Sequence, residues 1–139
     1  MQIYLLFAGK PRDAHANALA AEYIKRSNRY SPCEMREIQP ARYDPWARHP
    51  AAAKVLLDAR GKALDSVQFA KMLARQEEQS RDLVFSIGGA EGHPPGWHER
   101  ADLLLSLSPM TYAHELARVM LAEQIYRGWC ILRGHPYAK

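Results

Sequence analysis

Apolar residues fall along this chain in two patterns: short blocks that stop at a glycine or a turn, and longer stretches that repeat every three or four positions. Gln2–Ala8 is a short block closing at Gly9 and predicts a first strand. From Asp13 to Ser27, Leu19, Tyr23 and Ile24 recur at helical spacing on an alanine-rich background, which predicts a helix. Cys33–Ile38, bracketed by Pro32 and Pro40, reads as a second strand, and Ala53–Asp58, closing at Arg60-Gly61, as a third. Asp65 or Ser66 can cap a helix that runs to Gln79 and carries Val67, Phe69, Ala70, Leu73 and Ala74. Leu83–Ile87 is a compact apolar strand followed at once by Gly88-Gly89. A short helix near Pro95–Arg100 leads to a strand over Asp102–Ser106, and a long helix runs from Tyr112 to Leu132.

Five predicted strands separated mostly by helices imply an α/β fold, a mainly parallel sheet flanked by helices. Leu83–Ile87 is apolar on both faces, as a central strand covered on both sides must be. The last helix is apolar on more than one face: Leu116, Val119, Met120, Leu121, Ile125, Trp129 and Leu132 do not form one stripe. Burial between the sheet and another helix would account for this, and so would a second copy of the chain, with a symmetric dimer as the default. Residues 39–52 hold three prolines in fourteen positions and read as a surface loop without regular helix or strand.

Composition narrows the class. A chain of 139 residues fits one domain, residues 1–139. At that size a core buries roughly 68% of the unfolded surface, so no disulfide or metal is needed to hold it. Apolar residues at 47% and charged residues at 24% are ordinary globular values and exclude a fibre or a disordered tail. No apolar run approaches the roughly 18 residues of a membrane span. The apolar start lacks the basic region and small-residue cleavage site of a secretory signal. Cys33 and Cys130 are too few and too far apart for a disulfide framework or a zinc ribbon, so the reducing cytoplasm is the expected compartment and no metal is expected.

Charge is uneven. Residues 1–50 carry eight basic and five acidic side chains, residues 51–100 seven of each, and residues 101–139 four and three. The densest basic stretch runs from Lys25 through Arg26, Arg29, Arg36 and Arg42 to Arg48. A sequence pI near 9.2 with such a cluster is compatible with a nucleic-acid partner, although charge alone favours a merely solvated basic surface.

Three strand ends carry the candidate chemistry. Phe85-Ser86-Ile87-Gly88-Gly89-Ala90-Glu91-Gly92 is a strand running into a glycine-rich turn. Glycines there let backbone approach a ligand closely, and open α/β sheets bind ligands beyond the carboxyl ends of their strands. The pattern is neither the dinucleotide fingerprint nor the phosphate loop of nucleoside triphosphatases. Val55-Leu56-Leu57-Asp58-Ala59-Arg60-Gly61-Lys62 ends a strand in an acid and a Gly-Lys turn. Leu105-Ser106-Leu107-Ser108-Pro109-Met110-Thr111-Tyr112-Ala113-His114 runs from a strand through a hydroxyl-rich loop into a helix. If the strands are parallel, all three loops open at one edge of the sheet.

These motifs resemble a known family. Ile87-Gly88-Gly89-x-x-Gly92, then Ser106-Leu107-Ser108-x-Met110-Thr111-x-x-His114-x-Leu116-x-Arg118, then Glu123-Gln124-Ile125-Tyr126-Arg127, then Gly134-His135-Pro136-Tyr137-x-Lys139 look like the ribosomal RNA large subunit methyltransferase H family of the SPOUT superfamily. The resemblance is dense over 83–139 and looser before residue 55, where Ala8-Gly9-Lys10, Glu22-Tyr23 and Glu37-Ile38 still fit. It implies a cytoplasmic bacterial homodimer with a carboxyl-terminal trefoil knot. It also implies an activity: S-adenosylmethionine-dependent methylation of nitrogen 3 of a pseudouridine in large-subunit ribosomal RNA, on assembled ribosomes. Leu57 would line the adenine side of the cofactor pocket, Gly88 and Gly89 would admit the cofactor against backbone, and Leu107, Ser108, Pro109, Met110, Thr111 and Tyr112 would wrap the adenine.

The sulfonium is already a good electrophile, so orientation would supply much of the acceleration. His114, Arg118, His135 and Tyr137 are the candidates for assistance. Either histidine could take the proton that leaves, and Arg118 could stabilise the charge on the deprotonated base. Structural roles compete with these: His114 as a helix cap, Arg118 paired with Glu115 or Glu123, His135-Pro136 as a rigid turn. Two departures stand out. The family's tail usually reads Tyr-His-Lys or Tyr-His-Arg where this chain has Tyr137-Ala138-Lys139, and relatives usually insert a helical segment where this chain has the loop at 39–52. A SPOUT-fold protein that binds ribosomes or RNA without catalysis, and a SPOUT enzyme for another nucleotide, are the competing functions.

Overall fold

In the computed structural model, which describes residues 1–138, five strands form one sheet: β1 (Ile3–Ala8), β2 (Cys33–Ile38), β3 (Ala53–Ala63), β4 (Leu83–Ile87) and β5 (Leu103–Ser106). The helices are α1 (Ala14–Ser27), α2 (Pro45–Arg48), α3 (Ser66–Glu78), α4 (Trp97–Arg100) and α5 (His114–Arg133), followed by a 3-10 turn over Pro136–Ala138. All four strand pairings are parallel and the order is β2-β1-β4-β3-β5. Lys139, the last residue of the tail motif, lies outside the described residues.

The alternation of the strands divides the interior. Ile3, Leu5, Phe7, Val55, Phe85, Ile87 and Leu105 face α1, α3 and α5, where they meet Ala20, Ile24, Phe69, Leu73, Leu121, Ile125 and Trp129. Leu6, Leu56 and Val84 face the other way, onto Ile38, Tyr43, Ala52 and Trp97. The central strand β4 is therefore buried at every residue, as its continuous apolar run requires.

Local signals set the element ends. Asp13 accepts from the amides of His15 and Ala16 and starts α1. Asp65 and Gln68 form a reciprocal capping box at α3, with bonds of 2.7 and 2.8 Å. Gly134, with φ +71°, ends α5 in the left-handed region that glycine adopts without strain.

The segment 39–52 differs from the expected irregular loop. Asp44 accepts from the Trp46 amide, Pro45 occupies the first helical position, and one turn of α2 forms. This segment is a lid on the second face of the sheet. Tyr43 and Ala52 are buried, the Tyr43 hydroxyl lies 2.7 Å from His49 Nε2, and Trp46 packs edge-on against Trp97. Lys54, also buried, donates its Nζ to the His49 carbonyl.

Strand β3 also differs from expectation, continuing past Asp58 to Ala63. It pairs with β5 through Leu57, slips, and pairs again from Lys62, so that Asp58–Gly61 bulges out of the ladder. Asp58 Oδ1 accepts from the Arg60 amide at 2.8 Å and closes the bulge as an Asx turn. A Cβ on Gly61 would sit 2.5 Å from the Leu104 carbonyl oxygen, so only glycine lets the strand return beside β5.

Candidate active site

The bulge of β3 and the carboxyl ends of β4 and β5 surround a cavity of about 300 Å³. Leu57, Gly88, Gly89, Leu107, Ser108, Met110, Thr111 and Tyr112 all border it; Pro109, between two of them, does not. The β3 bulge brings Asp58 and Ala59 to the wall, and Ile87 and Leu105 supply apolar floor. The Ser106 hydroxyl lies 3.0 Å from the carbonyl oxygens of both Ala59 and Ser108, tying the bulge to the loop after β5. Ser108 Oγ in turn accepts from the Met110 amide.

The glycine turn folds tightly over itself. Gly89 and Gly92 form a bridge, and the Gly92 amide donates to the Gly89 carbonyl at 2.9 Å. A Cβ on Gly88 would meet backbone atoms of Gly92 at 2.7 and 3.0 Å, whereas one on Gly89 would meet only Ala8, at 3.6 Å. Gly88 is thus required by the turn itself, and Gly89 is not.

Two wall residues received no role from the sequence. Asp58 appeared there only as the acid that ends a strand. Its carboxyl is held below the usual carboxylate range by the Arg60 amide and then by His98, whose Nε2 lies 2.8 Å from Oδ2. His93 follows the last glycine of the turn. Its Nε2 lies 3.1 Å from the Ser86 carbonyl oxygen, which can only accept, so Nε2 carries the proton of a neutral ring. Its ring stacks on Trp97 and meets His98 edge-on. The only signal for either was position, at the two strand ends that flank the glycine turn.

Burial lowers the His93 pKa to about 4. A histidine at 6.5 in the unfolded chain and about 4 in the fold binds its proton more readily unfolded, so stability falls as pH drops through that window, by at most about 3 kcal/mol. Asp58 contributes at lower pH, because its depressed folded pKa is lost only below the ordinary carboxylate range. Thermal melts from pH 7 to pH 4.5 are expected to show a steep acid loss in the wild type and a shallower one in His93→Gln. Equal slopes would contradict a buried neutral His93.

The catalytic candidates are placed less uniformly. His114 borders the cavity, and its Nε2 lies 3.9 Å from a Cβ built on Gly9. It does not cap α5; Ala113 occupies that position, without a side-chain bond. Arg118, one turn further, is 1% exposed and does not border the cavity. Its Cζ sits 4.0 Å from the Phe7 ring centre and Nη2 lies 3.5 Å from Glu115 Oε1. None of its three side-chain nitrogens has a hydrogen-bond partner among the described residues. Burial lowers its pKa, while Glu115 opposes that shift. Glu115 is itself engaged, accepting from the amides of Arg12 and Asp13 at 2.7 and 3.1 Å.

His135 and Tyr137 do not border the cavity. The Tyr137 hydroxyl donates to Glu123 Oε2 at 2.5 Å and lies 3.4 Å from the Tyr23 hydroxyl, with Arg127 over its ring at 5.0 Å. Burial and the Glu123 carboxylate raise its pKa. His135 Nδ1 accepts from the Tyr137 amide at 3.1 Å and braces the terminal turn. Among the described residues, no group of three or more His, Cys, Asp or Glu side chains is placed to hold a metal ion, and no helix is long and apolar enough to cross a membrane.

Comparison with known proteins is consistent with this geometry. Residues 1–138 match the family described as predicted SPOUT methyltransferase. A ribosomal RNA large subunit methyltransferase H from Solibacter usitatus is 61% identical over 139 residues, covering 100% of both chains. One from Thermus thermophilus is 39% identical over 138 residues, covering 99% of this chain and 98% of its own. A crystal structure of the SpoU methyltransferase AviRb from Streptomyces viridochromogenes, in complex with AdoMet, shares 14% identity at a TM-score of 0.46, over 89% of this chain and 56% of that one. From end-to-end identity and the family match together, the chain belongs to the ribosomal RNA large subunit methyltransferase H family of SPOUT methyltransferases.

Proposed function

We propose that this chain, as one domain over residues 1–139, methylates nitrogen 3 of a pseudouridine in large-subunit ribosomal RNA on assembled cytoplasmic ribosomes. The observation that carries this reading is the meeting of the β3 bulge and the loops after β4 and β5, three segments far apart in sequence, around one cavity. Its residues suit S-adenosylmethionine. Leu57, Ile87, Leu105 and Leu107 offer an apolar slot for an adenine, and Gly88 and Gly89 leave backbone open to close approach. When bound, that cofactor supplies a methyl group on a positively charged sulfur.

The chain's own residues then have limited work. The loop from Leu107 to Tyr112 holds the adenine through backbone amides and carbonyls. His114, at the cavity wall, is placed to take the proton that leaves the target nitrogen. Arg118 does not border the cavity, but its buried guanidinium has unpartnered donors one helical turn from His114, and stabilising charge on the base requires it to turn toward the cavity when the substrate binds. Tyr137 and His135 do not border the cavity of their own chain, so a catalytic role for either requires the cavity of a second copy. A homodimer accords with the exposure of Leu116 (55%) and Met110 (70%) beside the cavity loop.

Titration calorimetry with S-adenosylmethionine tests the pocket. Saturable binding with one site per chain is expected. No heat at millimolar cofactor would overturn the reading.

A further inference from the structure

A second cavity, of about 380 Å³, opens at the other edge of the sheet. Ala53, Leu83 and Leu103, the first residues of β3, β4 and β5, form its floor, and α3 forms its side. It shares β5 with the cofactor cavity, Leu103 bordering one and Leu105 the other. Lys62, Lys71, Arg75 and Arg81 border it, with Asp102 as the one acid. Asp102 is already engaged, since Oδ2 accepts from the Lys54 amide at 2.7 Å and lies 3.8 Å from Arg81. Lys62, Lys71 and Arg75 make no side-chain hydrogen bond or ion pair among the described residues.

Gln76 on the same wall is 9% exposed, and its Oε1 has no hydrogen-bond partner among the described residues. A buried acceptor without a donor is destabilising, and a ligand that supplies the donor offsets that cost. Inorganic phosphate could supply the charge and one P–OH donor, but it has no apolar body to cover the floor of Ala53, Leu83 and Leu103. The ligand that matches is one carrying a negative charge for the three cations, a donor for Gln76 and a flat apolar body for the floor.

We propose that this cavity is a second RNA subsite, holding one nucleotide of the ribosomal substrate. The phosphodiester lies among Lys62, Lys71 and Arg75, the base sits over the strand ends, and a 2′-hydroxyl or base N–H donates to Gln76. This rests on the proposed function and extends it from the target base to a second contact on the same RNA.

The test is equilibrium binding of the full chain to ribosomal subunits across a salt series without cofactor, so it does not depend on turnover. For the Lys71→Gln/Arg75→Gln double variant, binding is expected to weaken about tenfold, and the slope of log affinity against log salt to shrink by about 1.5, as loss of two phosphate contacts requires. Gln76→Leu is expected to raise the melting temperature while weakening ribosome binding, a combination that a merely structural glutamine would not produce. Affinity for S-adenosylmethionine is expected to be unchanged in both. Wild-type ribosome affinity and salt slope in the double variant would overturn the subsite. Absence of cofactor binding by the wild type would instead overturn the methyltransferase reading and leave the ribosome-binding result standing.

Discussion

Gly88→Ala is expected to abolish methyl transfer and weaken cofactor binding at least a hundredfold, while Gly89→Ala, which keeps the turn but sets a methyl group against the cofactor, is expected to lose less of both. The added Cβ would lie 2.7 Å from the Gly92 carbonyl carbon, and backbone cannot swing aside as the end of a side chain can. The turn must open, and with it goes the wall that joins β4 to the cavity. At Gly89 the nearest atom is the Ala8 methyl at 3.6 Å, an ordinary contact. Calorimetry on the two variants checks this. Equal loss in both would mean that ligand contact, not turn geometry, selects these glycines.

Arg118→Met is expected to lower methyl transfer by about 10²–10³-fold, the scale of removing one donor that stabilises transition-state charge. The same change is expected to leave folding stability unchanged or raise it. The guanidinium is 1% exposed, has no hydrogen-bond partner among the described residues and has one carboxylate at 3.5 Å. Replacing a poorly satisfied buried charge by an apolar side chain of similar length is often neutral or stabilising. Affinity for S-adenosylmethionine is expected to hold within a few-fold, separating a role on the base from one on the cofactor. A stable variant with full activity would assign Arg118 to packing against Phe7.

Some of this was legible before the fold. Leu83–Ile87 could be only a covered central strand, and the structure starts and stops it at those residues. Asp65 was legible as a candidate cap, while α1 was legible from the spacing of Leu19, Tyr23 and Ile24 and its cap, Asp13, only from the structure. The short helix α2 was not legible, because proline spacing excludes long elements but not a single capped turn. The continuation of β3 was hidden by Asp58–Gly61, a turn sequence that here bulges a strand without ending it. Eight of the nine expected cofactor residues border one cavity, because parallel strands send their loops to the same edge. Asp58 was missed because its partner His98 lies 40 residues further on, and His93 because its burial depends on how the turn after β4 folds back onto Ser86 and Trp97. Tyr137 and His135 were chosen on motif alone, and their separation from the cavity depends on the path of the tail beyond α5. The trefoil knot follows from the family; hydrophobic pattern carries no sign of a threaded chain.

The most direct measurement is mass mapping of large-subunit ribosomal RNA after purified, unmethylated ribosomes are incubated with the chain and S-adenosylmethionine. The expected product is a single added methyl group on nitrogen 3 of one pseudouridine. Ribosome association without added mass would contradict catalysis and favour a binding protein on the same fold, and a methyl group on a different nucleotide would contradict the assigned target.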